Sequence, residues 1–203
     1  MTKIDLLDMP LNEVNFVVFD LETTGLHPEN GDQIIEIGAF RIHGNFKFDK
    51  KDQFHSLVSI DREISEYSHS IHGISNEQLK NAPDICTAMY QFLEFGRDAI
   101  PVAHKASKDV AFMRAAMSEY SITNPFPFFI DTLKMAKIIY PDYKSHSLDS
   151  LIEKLNIRVD SRFKRHRALY DAEATAKIFV KMCRKIFSDY CYHLSELKEL
   201  ISK

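Results

Sequence analysis

The stretch Phe16-Val17-Val18-Phe19-Asp20-Leu21-Glu22-Thr23-Thr24-Gly25 decides how this chain is read. Its first four residues are an unbroken apolar run, the pattern of a central strand covered by protein on both faces. Side chains alternate along a strand, so Asp20 and Glu22 point the same way from its end. Two carboxylates on one side of an apolar strand repel each other and lose hydration, and a cation between them removes both penalties. Read alone, an Asp-x-Glu is more often the solvated start of a loop, with Thr23-Thr24-Gly25 turning the chain, because motifs this short recur without function.

Outward from this strand, residues 33–40 and 53–59 also read as strands, with Gly44-Asn45 as a turn beside a third short run at 46–48. The opening part of the chain therefore predicts an antiparallel meander. The pattern then changes to alternating helices and short strands. Ile85, Ala88, Met89, Phe92 and Phe95 recur at helical spacing. A strand at 100–103, a helix at 108–120 and a strand at 128–130 follow, with Asp131 placed to cap the next helix. Ser147 caps a helix at 148–155 in the same way. A long helix runs from 168 to about 187, and the tail to Lys203 also reads as helical. A meander followed by β/α units predicts an α/β fold on a mixed sheet.

Two further acids stand out. Asp109 follows the strand at 100–103 and lies near a helix start, where the helix dipole alone would favour an acid. Asp171 is more telling. Steps of three and four along its helix join Asp171, Thr175, Ile178, Met182 and Ile186, so this acid falls on the apolar stripe, and acids are rarely buried without a partner. Glu173 lies about 200° around the same helix and is expected in solvent. His166 precedes Asp171 by five residues, so a straight helix cannot aim both at one point. It is therefore expected on a flexible approach loop, 160–167, beside Arg158, Arg162, Lys164, Arg165 and Arg167. A histidine in a basic loop is commonly a plain surface residue, but a neutral imidazole beside an activated water can take a proton near neutral pH.

The net charge of −3 hides an asymmetry. Residues 1–133 hold 11 lysines and arginines against 20 acids, and residues 134–203 hold 15 against 9. Such a split allows one half to attract a polyanion while the other gathers cations, and it equally fits an uneven solvated surface. No apolar run is long enough to span a bilayer, so no membrane association is expected. Residues 1–10 lack the basic start of a secretory signal. Cys86, Cys183 and Cys191 form no Cys-x-x-Cys pair and are odd in number, which points to a reducing cytoplasm.

Together these pieces resemble the DEDDh exonucleases, the family of the bacterial replicative proofreading ε subunit (of DNA polymerase III) and RNase T, over roughly residues 14–187. Phe19 through Leu26 resembles the family's first motif and Gln33-Ile34-Ile35-Glu36-Ile37-Gly38-Ala39 its second strand. Ile71-His72-Gly73-Ile74 resembles a segment before its first helix. His104 through Asp109 stands at its second motif, and His166-Arg167-Ala168-Leu169-Tyr170-Asp171 at its third. The resemblance implies an RNase H-like fold, with a mixed five-stranded sheet and helices on both faces. It also implies 3′→5′ removal of nucleoside monophosphates from a strand end by two Mg²⁺ or Mn²⁺ ions. Asp20 is then expected to bridge the ions, Glu22 and Asp171 to hold the one at the attacking water, and Asp109 to support the other. His166 is expected as the base, and the backbone around Thr23 and Thr24 as the seat of the terminal nucleotide. In the second motif, Lys105 and Lys108 replace the family's usual asparagine and aromatic residue. They are expected, with His104 and Arg165, to contact substrate; His104 suits a packed structural role equally well.

The expected organisation is an exonuclease domain at 1–187 with a C-terminal helical tail at 188–203. The substrate expected is the single-stranded 3′ end of DNA, with the domain acting as a proofreading subunit or on its own. Trimming of RNA, and a weakly active nucleic-acid-binding module on the same fold, are the alternatives. The tail, with Tyr190, Tyr192, Leu194, Leu197 and Leu200, could dock a polymerase subunit, a second copy, or its own domain.

Overall fold

A computed structural model describes residues 6–189 and 192–202. Phe16–Thr23 (β1), Ile34–His43 (β2) and Lys47–Leu57 (β3) pair antiparallel in succession. Glu66–His72 (α1), Asn76–Leu79 (α2) and Ile85–Phe95 (α3) lead to Ile100–Ala103 (β4), which lies parallel to β1 on its other side. Ser107–Glu119 (α4) leads to Ile130–Asp131 (β5), parallel to β4. Thr132–Ile139 (α5), Leu148–Lys154 (α6), Ala168–Asp189 (α7) and Leu194–Ser202 (α8) follow. The sheet order β3-β2-β1-β4-β5 puts the apolar run at its centre and makes the sheet mixed and five-stranded, as expected.

Strand alternation divides the interior in two. Phe16 and Val18 face a core shared with α5, α6, α7 and α8, whereas Val17, Phe19 and Leu21 face one shared with α3 and α4. Asp20 and Glu22 continue the period of Phe16 and Val18, so they leave the strand on the side of α7. The caps behave as predicted: Asp131 accepts from the N–H of Leu133 and Ser147 from that of Ser150.

Three boundaries differ from the sequence reading. The runs at 46–48 and 53–59 are one strand, β3, entered through a turn with positive φ at Asn45 and Phe46. β3 is an edge strand, so the charged stretch Asp49-Lys50-Lys51-Asp52 does not interrupt it; charge protects an edge from pairing with other chains. β5 is only two residues long, because Phe128 and Phe129 pack into opposite cores before the ladder starts and Asp131 leaves it to cap α5. Ile71 and His72 end α1 instead of preceding the first helix, and Gly73 closes α1 at φ 69°. The tail helix α8 packs on its own domain, with Leu194, Leu197 and Ile201 buried in the α5–α7 core. Tyr190 and Cys191 lie outside the described residues, and Cys86 is a free thiol. No helix among the described residues is long and apolar enough to cross a membrane.

Candidate active site

The carboxyl ends of the parallel strands β1 and β4 open into a cleft of about 200 Å³ lined by Asp20, Glu22, Asp109, Asp171, His104, His166, Lys105 and Lys108. All five residues expected to carry the chemistry, separated by up to 151 positions in sequence, thus meet in one place. Asp20 and Glu22 come from one face of β1, and Asp171 reaches them from the first turn of α7 above that face. Each of the three offers a carboxylate oxygen, and these oxygens lie within 4.8 Å of one another. Asp109 arrives from the other side of the sheet, in the first turn of α4 and almost fully buried, where it accepts from the backbone N–H of Leu21.

The electrostatics show an acid cluster short of positive charge. Burial raises Asp20 well above the ordinary carboxyl range, and Asp109, Asp171 and Glu22 push it further. Burial, then Asp171 and Glu36, push Glu22 up to about 8. Burial lifts Asp109 to about 7, and lifts Asp171 to about 6 although His166 beside it pulls down. A divalent cation would reverse these penalties. The donor set is carboxylate oxygen, which suits hard Mg²⁺ or Mn²⁺.

His166 is exposed and has φ 57°, a left-handed backbone that a bulky residue holds only where its surroundings fix it. They do so through the loop 160–167, which is pinned and not free. Asp160 takes Lys50 and Arg162, Arg165 pairs with Asp149 at 2.5 Å, and Arg167 reaches the buried Glu36. Much of the loop's positive charge is therefore spent inside the protein. Glu173, expected in solvent, is fully buried. It accepts from the N–H of Asp160 and pairs with Lys177 at 2.6 Å, because the loop folds back across that side of α7 and needs an anchor.

Sequence reasoning missed Glu36. It sits opposite Glu22 in the β1–β2 register and is 1 % exposed. Its carboxylate accepts from both sides of the Arg167 guanidinium, from the N–H of Ala168 at 3.0 Å, and from His55 at 2.7 Å. Burial alone would raise its pKa, yet His55, Arg167 and Ala168 outweigh it and hold it at about 2. This clasp fixes the entry of α7, and with it His166 and Asp171. An acid inside the apolar run Ile34-Ile35-Glu36-Ile37 was the available signal.

A second cleft adjoins the first and shares Glu22, Ile71 and Lys108 with it; Thr23, Thr24, Leu26 and Tyr67 also line it. The hydroxyls of both threonines are engaged internally, Thr23 on the carbonyl of Gly25 and Thr24 on Asp32. They shape the backbone there, and the exposed Leu26, Tyr67 and Ile71 present apolar surface. His104 is partly buried, with Nδ1 at 3.0 Å from the Thr132 hydroxyl, and burial lowers its pKa. Lys105 has φ 59°, and its N–H donates to Asp131.

Residues 17–179 match the RNase T family of exonucleases. The chain belongs to the exonuclease family. Within it, the chain is 40 % identical over 197 residues to the DNA polymerase III PolC-type of Thermotoga maritima. It is 37 % identical over 184 residues to that of Streptococcus pyogenes. These matches cover 96 % and 89 % of this chain but only 14 % and 12 % of those much longer proteins. Among solved structures, Exonuclease X in complex with 5′ overhanging duplex DNA superposes with a TM-score of 0.69, at 22 % identity over 92 % of this chain and 99 % of that one. The nuclease domain of 3′hExo, a DEDDh family member bound to rAMP, gives 0.73 at 18 % identity over 90 % and 96 %. The family's RNase H-like exonuclease fold is the fold of this chain.

Proposed function

We propose that this domain, residues 1–187 with a tail at 188–203 whose helix α8 packs on it, hydrolyses DNA from a single-stranded 3′ end and releases nucleoside monophosphates. The observation that carries the reading is the meeting of Asp20, Glu22 and Asp171 within 4.8 Å, in a cleft that also holds Asp109 and His166. Two Mg²⁺ or Mn²⁺ ions, held by Asp20, Glu22, Asp171 and Asp109, would activate water and stabilise charge on the oxygens of the scissile phosphate. The other steps fall to the chain. A ring nitrogen of His166 takes the proton of the attacking water, since the histidine stands at the mouth of the cleft beside Asp171. The Glu36–Arg167 clasp holds that histidine's loop in register. The backbone at Thr23 and Thr24, with Leu26 and Ile71, seats the terminal nucleoside in the adjoining cleft. Lys105, Lys108 and His104 line the phosphate side, and Arg165, paired with Asp149 and near enough for its charge to act on Asp171, meets the strand beside them.

DNA is favoured over RNA because the relatives are DNA polymerases and Exonuclease X is seen on duplex DNA. That this chain matches only 14 % of the Thermotoga maritima polymerase also favours a domain that works beside a polymerase, and a cytoplasmic setting belongs to the same reading. A second copy docked through the tail is disfavoured, since Leu194, Leu197 and Ile201 are used within the chain's own core. The test is a 5′-labelled single strand of DNA or RNA incubated with Mg²⁺ or Mn²⁺. The wild type should shorten DNA stepwise from its 3′ end, and Asp20→Ala should not. Equal shortening by Asp20→Ala, or none by the wild type, would end the proposal.

A further inference from the structure

Beyond the first turn that carries Asp171, helix α7 presents a row of cations beside the edge strand β3. Lys177, Lys181 and Arg184 recur at steps of four and three, so they share one face. With Phe48 of β3 and the buried Val180 they line a cavity of about 510 Å³, and no acid among the described residues joins that wall. Each cation is folded back onto a main-chain carbonyl. The Lys177 ammonium donates to that of Arg158 at 2.6 Å, Lys181 to that of Leu155 at 2.9 Å, and the Arg184 guanidinium to that of Phe46 at 3.2 Å. Lys177 also pairs with Glu173 and lies 5.7 Å from the centre of the Phe48 ring. Lys181 and Arg184 are exposed and form no ion pair among the described residues.

A free surface lysine gives up much side-chain freedom when it takes a ligand. These three side chains are already held, which removes part of that cost. An ammonium has three N–H donors and a guanidinium five, so each cation keeps donors for a further acceptor after its bonds within the chain. Excess positive charge, remaining donors and an apolar floor of Phe48 and Val180 together suit a ligand that carries phosphate. The shape favours a strand over a single phosphate. The cations are spread over about 10 Å of helix instead of converging on one point, and a nucleic-acid backbone is a polyanion that offers its charges in a row. Arg184 lies thirteen residues beyond Asp171 on the same helix, about 20 Å away at the α-helical rise. Residues 155–160 run back along α7 toward the acid cleft, with Leu155 at Lys181, Arg158 at Lys177 and Asp160 at Glu173. They add the exposed Arg158, which also forms no ion pair among the described residues.

Resting on the strand-cutting reading above, we propose that this cavity is a second binding site for nucleic acid, which holds backbone phosphates of the strand upstream of the end in the acid cleft. The experiment compares wild type with Lys181→Gln/Arg184→Gln and with the charge-keeping Lys181→Arg/Arg184→Lys; thermal melts establish that each is folded. The probe is a 5′-labelled thymidine strand of about twenty residues, longer than the usual footprint of a single-strand site. Its anisotropy in EDTA, where nothing is cut, should show binding weakened severalfold in the neutral variant only. The slope of log affinity against log salt should fall by about 0.7 for each cation removed. With Mn²⁺, the neutral variant should raise KM for that strand and keep kcat. Its cleavage of a thymidine dinucleotide, whose one internal phosphate is the one cut, should match the wild type. Unaltered affinity and salt slope in the folded neutral variant would overturn the proposal. Equal losses on strand and dinucleotide would overturn it too, because they mark the cations as supports of the fold. A wild type that binds the strand through these cations but shortens neither substrate would sink the exonuclease reading and leave this site standing.

Discussion

The backbone of Ala168 occupies the space in which a side chain at Gly38 would begin: a Cβ there would stand 2.4 Å from the carbonyl carbon of Ala168 and 2.5 Å from the nitrogen of Leu169. Gly38 faces Asp20 in the β1–β2 register, so this close approach lets α7 carry Asp171 down onto the acids of β1. Because the obstacle is backbone, relief requires the helix to move. Gly38→Ala should therefore cost about 1–3 kcal/mol, the usual range for overpacking. It should also weaken Mn²⁺ binding, which a purely remote destabilisation would leave alone. Denaturant melts and Mn²⁺ titration of the folded variant measure the two effects, and unchanged stability would mean that α7 does not rest on Gly38.

The Glu36 clasp predicts an acid-sensitive fold. Its carboxyl is held at about 2, below the ordinary value of 4.5, so the protein gains stability from the ionised form. That gain is complete above the ordinary value and disappears as pH falls from about 4.5 towards 2. Glu36→Gln should flatten this part of the stability–pH curve and loosen the His166 loop. Breaking a buried pair typically costs about 3–5 kcal/mol, and Arg167 keeps some solvent access, so a loss at the lower end is expected near neutral pH. Denaturation curves of both proteins across the acid range decide the point: parallel curves would remove Glu36 as the source.

The sequence made the central strand, the helix caps and the acids legible, because each has a local signature: an unbroken apolar run, an Asp or Ser before a helix, an acid on an apolar stripe. Glu36 and Glu173 were not legible. Both are acids whose burial is justified only by partners far away in sequence, Arg167 and His55 for the one, Lys177 and the Asp160 N–H for the other. β3 was split for a related reason, since edge pairing to β2 is a tertiary fact that composition does not carry. His166 was placed on its loop correctly, but the pinning of that loop was not visible, because a run of arginines reads as free charge until its acids are known.

Divalent ions should stabilise the fold, and more so at alkaline pH. Glu22, Asp109 and Asp171 are raised to about 8, 7 and 6, so the ion-free protein loses stability as pH climbs from the ordinary carboxyl values through this window. Ions bind the ionised carboxylates and restore it. At a concentration 100 times the dissociation constant the gain is about 2.7 kcal/mol, or roughly 5–10 °C in Tm for a chain of this size. Melts with Mn²⁺ and with EDTA at mildly acidic and mildly alkaline pH should show the larger shift at the higher pH. An equal shift at both would mean that the raised carboxyls are not the ligands.

His166→Ala should lower the rate of nucleotide release by about 10²–10⁴-fold, the usual contribution of a positioned base. Mn²⁺ affinity should stay close to that of the wild type, because the histidine lines the cleft without joining the three converging acids. A loss of Mn²⁺ binding in step with activity would reassign His166 to holding the site together.

Asp171→Asn separates function from stability most sharply. Asp171 lies on the stripe that packs α7 against the sheet, one turn before the nearly buried Thr175 and two before the fully buried Ile178, and its carboxyl is raised to about 6 by burial. Above that pH the ion-free protein keeps a negative charge beside Asp20 and Glu22 that the unfolded chain holds in water at no such cost. An amide of nearly the same shape removes the charge and leaves the packing. In EDTA at alkaline pH the variant should therefore be more stable than the wild type, by an amount on the order of 1 kcal/mol once solvent screening is allowed for. With Mn²⁺ the order should reverse, because the wild type binds the ion and the variant lacks one of its three converging ligands. Strand shortening should be lost in both buffers. A variant less stable than the wild type in EDTA would show that Asp171 earns its buried place through packing or hydrogen bonding, and not as a strained ligand waiting for a cation.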